Sequence, residues 1–333
     1  MSYSLRYLTG TALFLLIANI GLSVPVFAIG PVKPLSPGFG GNAAVMVGGV
    51  ENKSNLDTKQ SDRLDSLTQL NTTDGRELLL PTFELNYNLK NEATQFYLGT
   101  PVERFLNLNF GVEIGVRQHV AKNKVIRIAY LPAVLDAERW ADPFLIGVPR
   151  TTTDQSSTGI LVGFDSPVFT LNYAQGKVEI EDERSGSALD IASQDALRRD
   201  GNYHALAINL AVPIKQGVLL QPSVVHVIAD LDGEAMAHTQ TSFDLGLMLL
   251  LQNAKLRLSV GTGNRRHDAD NPAFGQRQQD ELLSASILYL RDRIDVRGKP
   301  GLTLLLNHNN SDSNINFLDE SRSMLSVGLR WSF

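Results

Sequence analysis

Between Leu106 and Arg117 the chain changes character at every residue. Leu106, Leu108, Phe110, Val112, Ile114 and Val116 share one parity, and Asn107, Asn109, Gly111, Glu113, Gly115 and Arg117 share the other. Successive side chains of a strand point to opposite faces, so this run encodes a strand with one greasy and one polar side. On an α-helix, Glu113 and Arg117 would crowd against Phe110 and Ile114. A stretch of about 11 residues is also what a tilted strand needs to cross the hydrocarbon of a bilayer.

The same period returns along the chain. Phe83, Leu85, Tyr87 and Leu89 alternate with Glu84, Asn86 and Asn88, and Leu256, Leu258 and Val260 alternate with Lys255, Arg257 and Ser259. Further rows run through Ile126–Tyr130, Leu206–Val212 and Leu302–Leu306, whereas Leu247–Leu251 is apolar on both faces. Turn chemistry marks short connections at Asn91-Glu92, Asp165-Ser166-Pro167, Lys215-Gln216-Gly217 and Gln252-Asn253-Ala254. Between them lie long polar stretches at 52–75, 136–155, 182–200, 230–238, 265–279 and 309–321. Short turns at one end and long loops at the other is the pattern of bacterial membrane barrels.

Composition agrees with that reading. A bundle of membrane helices needs several apolar runs of about 20 residues, and one candidate run exists, at the N-terminus. The absence of cysteine removes disulfides, thiolate metal sites and a cysteine nucleophile. With a net charge of -5 and no basic stripe, nucleic acid is not an expected partner. Membrane association must therefore come from apolar surface.

At the N-terminus, Arg6 precedes the apolar run from Thr11 to Ala18, and Pro25 leads into Val26-Phe27-Ala28. This order predicts a secretory signal over residues 1–28, cleaved after Ala28. A retained anchor is the competing reading, weakened by Asn19, Gly21 and Pro25 within the span. Residues 29–40 would then form a periplasmic segment, and 41–333 the barrel.

The chain ends Leu325-Ser326-Val327-Gly328-Leu329-Arg330-Trp331-Ser332-Phe333, apolar at each odd position and aromatic at the last. This resembles the C-terminal insertion signal of outer-membrane barrels. The resemblance implies that Leu329, Trp331 and Phe333 are read by the barrel-assembly machinery. Two further segments, Leu35-Ser36-Pro37-Gly38-Phe39-Gly40-Gly41 and Val47-Gly48-Gly49 with Lys53-Ser54-Asn55-Leu56, are similar to the opening of mature chains in a family of predicted Gram-negative outer-membrane proteins of unknown function. Thr170-Leu171-Asn172-Tyr173 and Gly328-Leu329-Arg330-Trp331 extend the likeness over the mature length. It implies a porin-like barrel and no activity.

The expected fold is thus all-β: a transmembrane antiparallel up-and-down barrel of about fourteen strands, with about twelve as the alternative count. Its interior face would carry Asn107, Asn109, Glu113, Arg117, Arg127, Asp244, Lys255, Arg257 and Arg330. Polar residues of both signs suit a wet lumen. The expected function is passive diffusion of small solutes across the outer membrane. One alternative is a carrier of apolar small molecules, suggested by inward Met248, Leu288, Leu290 and Leu305. The other is a barrel enzyme or adhesin working through its loops.

Catalytic chemistry finds little support in the residues. Of six histidines, His226 lies three residues from Ser223, which puts the two on opposite faces of a strand. Asp230, Asp232 and Glu234 near His238, or His267 with Asp268 and Asp270, could supply acid–base groups at a loop rim. A solvated acidic loop facing lipopolysaccharide and its divalent ions is the favoured reading of them. The calcium-like spacing from Asp230 to Glu234 lacks the later bidentate Glu. No enzyme activity, cofactor or metal is expected. The expected partners are the lipid bilayer, lipopolysaccharide and the assembly machinery, with a homo-oligomer possible.

Overall fold

The computed structural model describes residues 36–333 apart from 70, 101–110, 134–135 and 297. The expected signal segment and the first five residues of the Leu106–Val116 row, including Asn107 and Asn109, lie outside the described residues.

Strands in chain order are β1 (Gly38–Lys53), β2 (Thr73–Asn88), β3 (Thr94–Gly99), β4 (Glu113–Ala121), β5 (Lys124–Leu131) and β6 (Ala137–Trp140). Then come β7 (Thr152–Asp165), β8 (Phe169–Ile180), β9 (Gly201–Leu210), β10 (Val212–Lys215) and β11 (Val218–Leu231). The last five are β12 (His238–Leu250), β13 (Ala254–Asn271), β14 (Gln276–Arg291), β15 (Gly301–Ser313) and β16 (Glu320–Ser332). β10 continues the line of β9 past Ala211, and β6 is a short piece paired to β7 on the loop side. The wall is therefore a closed antiparallel barrel of 14 strands.

Closure is made by the first and last strands. β1 and β16 pair from Asn42↔Ser332 to Lys53↔Ser321. Beyond that ladder Phe333 N–H donates to the Gly41 carbonyl (3.0 Å) and Gly41 N–H donates to the Phe333 carbonyl (2.9 Å). No free backbone edge is left at the seam. An unpaired N–H or C=O in hydrocarbon costs several kcal/mol, so a spanning sheet has to close in this way.

Each wall strand turns large apolar side chains outward. Val45 and Val47 on β1, Ile126 and Ile128 on β5, Ile160 and Val162 on β7, and Leu325 and Val327 on β16 are all exposed. Single exposed apolar residues are ordinary on a protein surface; a belt contributed by all fourteen strands is not. Aromatic rings edge the belt. Phe39 packs on Tyr87 with ring centroids 4.7 Å apart, near the exposed Trp331 and Phe333, at the short-turn end. Tyr130 and Tyr173 lie toward the loops, where the Tyr173 hydroxyl meets His204 Nδ1 at 2.9 Å. An apolar band flanked by aromatic girdles is how a closed barrel meets the two faces of a bilayer. The protein is a transmembrane β-barrel of the outer-membrane type.

Four of the short connections fall where the turn residues place them, after Asn88, Asp165, Lys215 and Leu250. At Asn91 the side-chain Oδ1 accepts from the N–H groups of Ala93 and Thr94 (both 3.1 Å), which closes the turn locally. Two of the expected long loops are different. β13 runs on to Asn271 and β14 restarts at Gln276, and β15 extends to Ser313, so most of 265–279 and part of 309–321 are strand. Above the lipid both faces of a strand are wet, and the alternation that marks a strand in the sequence disappears although the ladder continues.

Candidate functional site

Inward parity follows directly from the ladder, because residues that face lipid alternate with residues that face the interior. The structure turns Glu113, Arg117, Arg127, Asp244, Lys255, Arg257 and Arg330 to the interior side of their strands. Several of them meet. Arg117 makes a bidentate pair with Glu84 on β2 (both 2.9 Å) and lies over the Tyr97 ring of β3 at 3.8 Å from its centroid. The Tyr97 hydroxyl donates to Glu113 (3.0 Å), which is fully buried. Arg127 donates to Asn172 on β8 (2.8 Å), and Arg257 pairs with Asp244 (3.0 Å). Lys255 and Arg330 are half-buried near the short-turn end.

The other half of the interior is apolar. Met248, Leu288, Leu290 and Leu305 belong to one buried cluster with Met46, Val50, Leu78, Leu80, Leu219 and Met324. This explains the double-sided apolar run Leu247–Leu251: its odd residues face lipid and Met248 faces this strip.

The long loops fold over the barrel mouth. Leu64, Phe144, Leu197, Ala235, Ile315, Phe317 and Leu318 bury one another, and Phe274 bridges Phe144 and Phe317 with ring centroids 5.7 and 5.5 Å away. The one described α-helix, Ile191–Ala196, sits within these loops, its start capped by Asp190 Oδ1 accepting from Ser193 N–H (3.0 Å). Beneath this cap lies a cavity of about 160 Å3. Leu56, Phe144, Met236 and Leu318 roof it, Val178, Tyr203 and Leu231 line its side, and Arg139, Trp140, Gln155, Arg199, His238, Arg265, His267, Asn271, Gln278 and Glu320 supply its polar atoms.

Opposite registers build that lining. Pairing of β12 with β13 sets His238 across from His267, with ring centroids 4.9 Å apart. His238 Nδ1 donates to the Met236 carbonyl (2.9 Å) and His267 Nδ1 donates to the Ala235 carbonyl (2.8 Å). A carbonyl only accepts, so each ring carries its proton on Nδ1 and presents a bare Nε2. Both rings lie above the apolar belt, level with outward Thr239 and Arg266. Burial first, then the Arg265 guanidinium, pushes the His238 imidazole down to about 3 and His267 to about 4. Both are neutral at pH 7.

A pH dependence follows from this pair. An unfolded His titrates near ~6.5, so on acidification the unfolded chain takes up protons that the folded barrel refuses. Stability is therefore expected to fall from about pH 6.5 down to the folded values, by about 2–3 kcal/mol per ring at about pH 4.5. Melting curves by circular dichroism at pH 7.5 and 4.5 check this, and the double variant His238→Gln, His267→Gln should show the shallower dependence.

Of the loop-rim groups considered for chemistry, Asp232 is bridged to Arg198 (3.4 Å), and His238 faces His267 instead of Asp232. Ser223 faces in, while His226 is bonded to Thr241 on the other face of the wall (2.9 Å). No group of three or more metal-type ligands occurs among the described residues. Arg139, Trp140 and Asn271 were not singled out by sequence reasoning. Their one signal is Trp140, an aromatic of the largest size in a polar loop.

Residues 38–332 match the family model described as a protein of unknown function, DUF2860. The chain belongs to this family. A search of curated proteins finds no match to the sequence. Among solved structures, the CymD monoaromatic hydrocarbon channel aligns at 9% identity and a TM-score of 0.47, over 90% of this chain and 89% of that one. The outer-membrane channel DcaP of Acinetobacter baumannii aligns at 11% identity and 0.40, over 90% and 100%. A Pseudomonas aeruginosa FadL homologue aligns at 11% and 0.38, over 88% and 90%. At these scores the solutes of those proteins say nothing about this one.

Proposed function

We propose that this DUF2860 chain is a non-enzymatic, porin-like channel for passive diffusion of small solutes across the outer membrane. The observation that carries the reading is the polar side of the interior. Glu84, Arg117, Glu113, Arg127, Asp244 and Arg257 place charge of both signs inside a ring that hydrocarbon surrounds. Buried charge is expensive and a wall of apolar residues would hold the barrel at least as well. A hydrated or solute-bearing path gives those groups a purpose. The lipid-facing belt meets the bilayer, the upper strands and loops meet lipopolysaccharide, and Leu329, Trp331 and Phe333 serve as the insertion signal for the assembly machinery.

The apolar strip from Met46 to Met324 favours a second reading, a carrier of apolar small molecules. The two separate in planar bilayers. The channel reading expects discrete ion-conducting openings from the purified barrel, and replacing Arg117 and Arg257 with Gln should move the reversal potential toward cation selectivity. A folded barrel that gives no openings over a wide voltage range would count against a channel and for the carrier.

A further inference from the structure

The loop-side cavity carries more chemistry than a void under a packed cap requires. Arg139 is about nine-tenths buried, donates from Nε to Gln155 (2.9 Å), and has an Nη1 with no partner. No carboxylate lies within ion-pair distance of it among the described residues. Arg199 is satisfied by Glu183 (2.7 Å) and Arg265 by Asp280 (2.5 Å), whereas Arg139 has no carboxylate in direct contact and feels Glu320 only from a distance. Trp140 Nε1 and Asn271 Nδ2, also in the lining, are buried donors without a partner, and His267 Nε2 is a buried acceptor without one. Buried polar groups in folded proteins are paired in the great majority, so four such atoms on residues that line one cavity point to a ligand.

Size and lining narrow its class. An apolar-walled cavity of about 150 Å3 takes up a molecule the size of benzene, and this one measures about 160 Å3. Trp140, Phe144, Tyr203, Leu231 and Met236 offer the apolar wall. A buried guanidinium with a free N–H pairs best with a carboxylate, by a charge-assisted bond.

We propose that the cavity binds a monocarboxylate with a compact, ring-sized apolar body, the carboxylate on Arg139 and the body against the Trp140 and Phe144 side of the cavity. Resting on the channel reading, this makes the cavity the station at which the solute is recognised. Glu320, which also lines the cavity and accepts from Ser54 (3.1 Å), opposes the bound anion and sets a limit on affinity.

Calorimetric titration of the purified full chain in detergent micelles tests the site, with benzoate, its neutral isostere benzamide, and acetate as probes. Benzoate should bind saturably, and benzamide and acetate about tenfold or more weaker. Arg139→Gln should lower benzoate affinity by about tenfold or more and leave benzamide unchanged. Glu320→Gln should bind benzoate more tightly than the parent. Retention of the heat-modifiable band on gels shows that each variant is folded; if Arg139→Gln is not, Glu320→Gln and the probe series decide. Equal binding of benzoate and benzamide, or no binding of benzoate, overturns the proposal. Conductance recorded on the same preparation separates the two ideas. Openings without benzoate binding sink the site alone, and binding without openings sinks the channel alone.

Discussion

Replacing Arg265 by Ala is expected to destabilise the barrel by about 3–5 kcal/mol, the range for stripping one partner from a buried ion pair. Asp280 has no exposed side-chain surface, and its Oδ2 accepts from Arg265 Nε at 2.5 Å. Arg265 also reaches Ser311 Oγ (3.3 Å), so one side chain on β13 ties β14 and β15 together above the membrane. Without it Asp280 keeps the bonds from Gln278 (3.0 and 3.1 Å) and loses its counter-charge. In the parent, burial pushes the Asp280 carboxyl up, but Arg265 and Gln278 together hold it below the usual carboxylate range. In the variant burial is opposed by the bonds from Gln278 and Ser313 alone, so the carboxyl rises. A carboxyl raised on folding destabilises above its ordinary value and less so once protonated. The melting deficit of Arg265→Ala should therefore be larger at pH 7.5 than at pH 4. A combined Arg265→Met, Asp280→Leu variant should recover most of the loss, since a matched apolar pair carries no buried charge.

Gly48→Val is expected to abolish assembly of the closed barrel. Gly48 faces Ser326 across the seam between β1 and β16. A Cβ at Gly48 would stand 2.0 Å from the Leu325 carbonyl oxygen and 2.7 Å from Ser326 Cα. Those are backbone atoms of the strand that closes the ring, and they cannot move away without breaking the ladder that removes the free edges. Overpacking in a core typically costs about 1–3 kcal/mol, and an opened seam adds several kcal/mol for each backbone group left unpaired in lipid. The neighbouring Gly49 is a built-in control. A Cβ there has one neighbour, the Arg76 carbonyl oxygen at an ordinary 3.7 Å. Gly49→Ala should give the heat-modifiable band of the parent on gels, and Gly48→Val should not.

The barrel was legible in the sequence because lipid on one side and protein on the other give every spanning strand a contrast. Ile114 faces out and Glu113 and Arg117 face in, as their parity in the sequence requires. The turn residues at Asn91, Ser166, Gln216 and Asn253 locate strand ends within a few residues. Where the contrast fails, so does the reading. Arg265, Arg266, His267 and Asp268 are polar on both faces, so the alternation predicts a loop where the strand continues. Leu247 to Leu251 failed in the other direction, being apolar on both faces because the interior has its own greasy strip.

The cavity was out of reach for a different reason. Its lining comes from five long loops and from strands far apart in the chain, and no period in the sequence links Arg139 or Trp140 to Asn271. One contact could have been found. Once the turn at Gln252-Asn253 fixes the β12–β13 register, His238 must stand opposite His267.

The lipid-facing wall is tested most directly by a spin-label scan along β13. The chain has no cysteine, so single cysteines can be placed from Leu256 to Asp268 without background. In liposomes, oxygen dissolved in the hydrocarbon should reach labels at Leu256, Leu258, Val260 and Thr262 and spare those at Arg257, Ser259 and Gly261. From Asn264 upward the outward labels should respond to a water-soluble relaxation agent instead. Even-numbered positions that are shielded from oxygen, in a protein that stays in solution without detergent, would contradict the account.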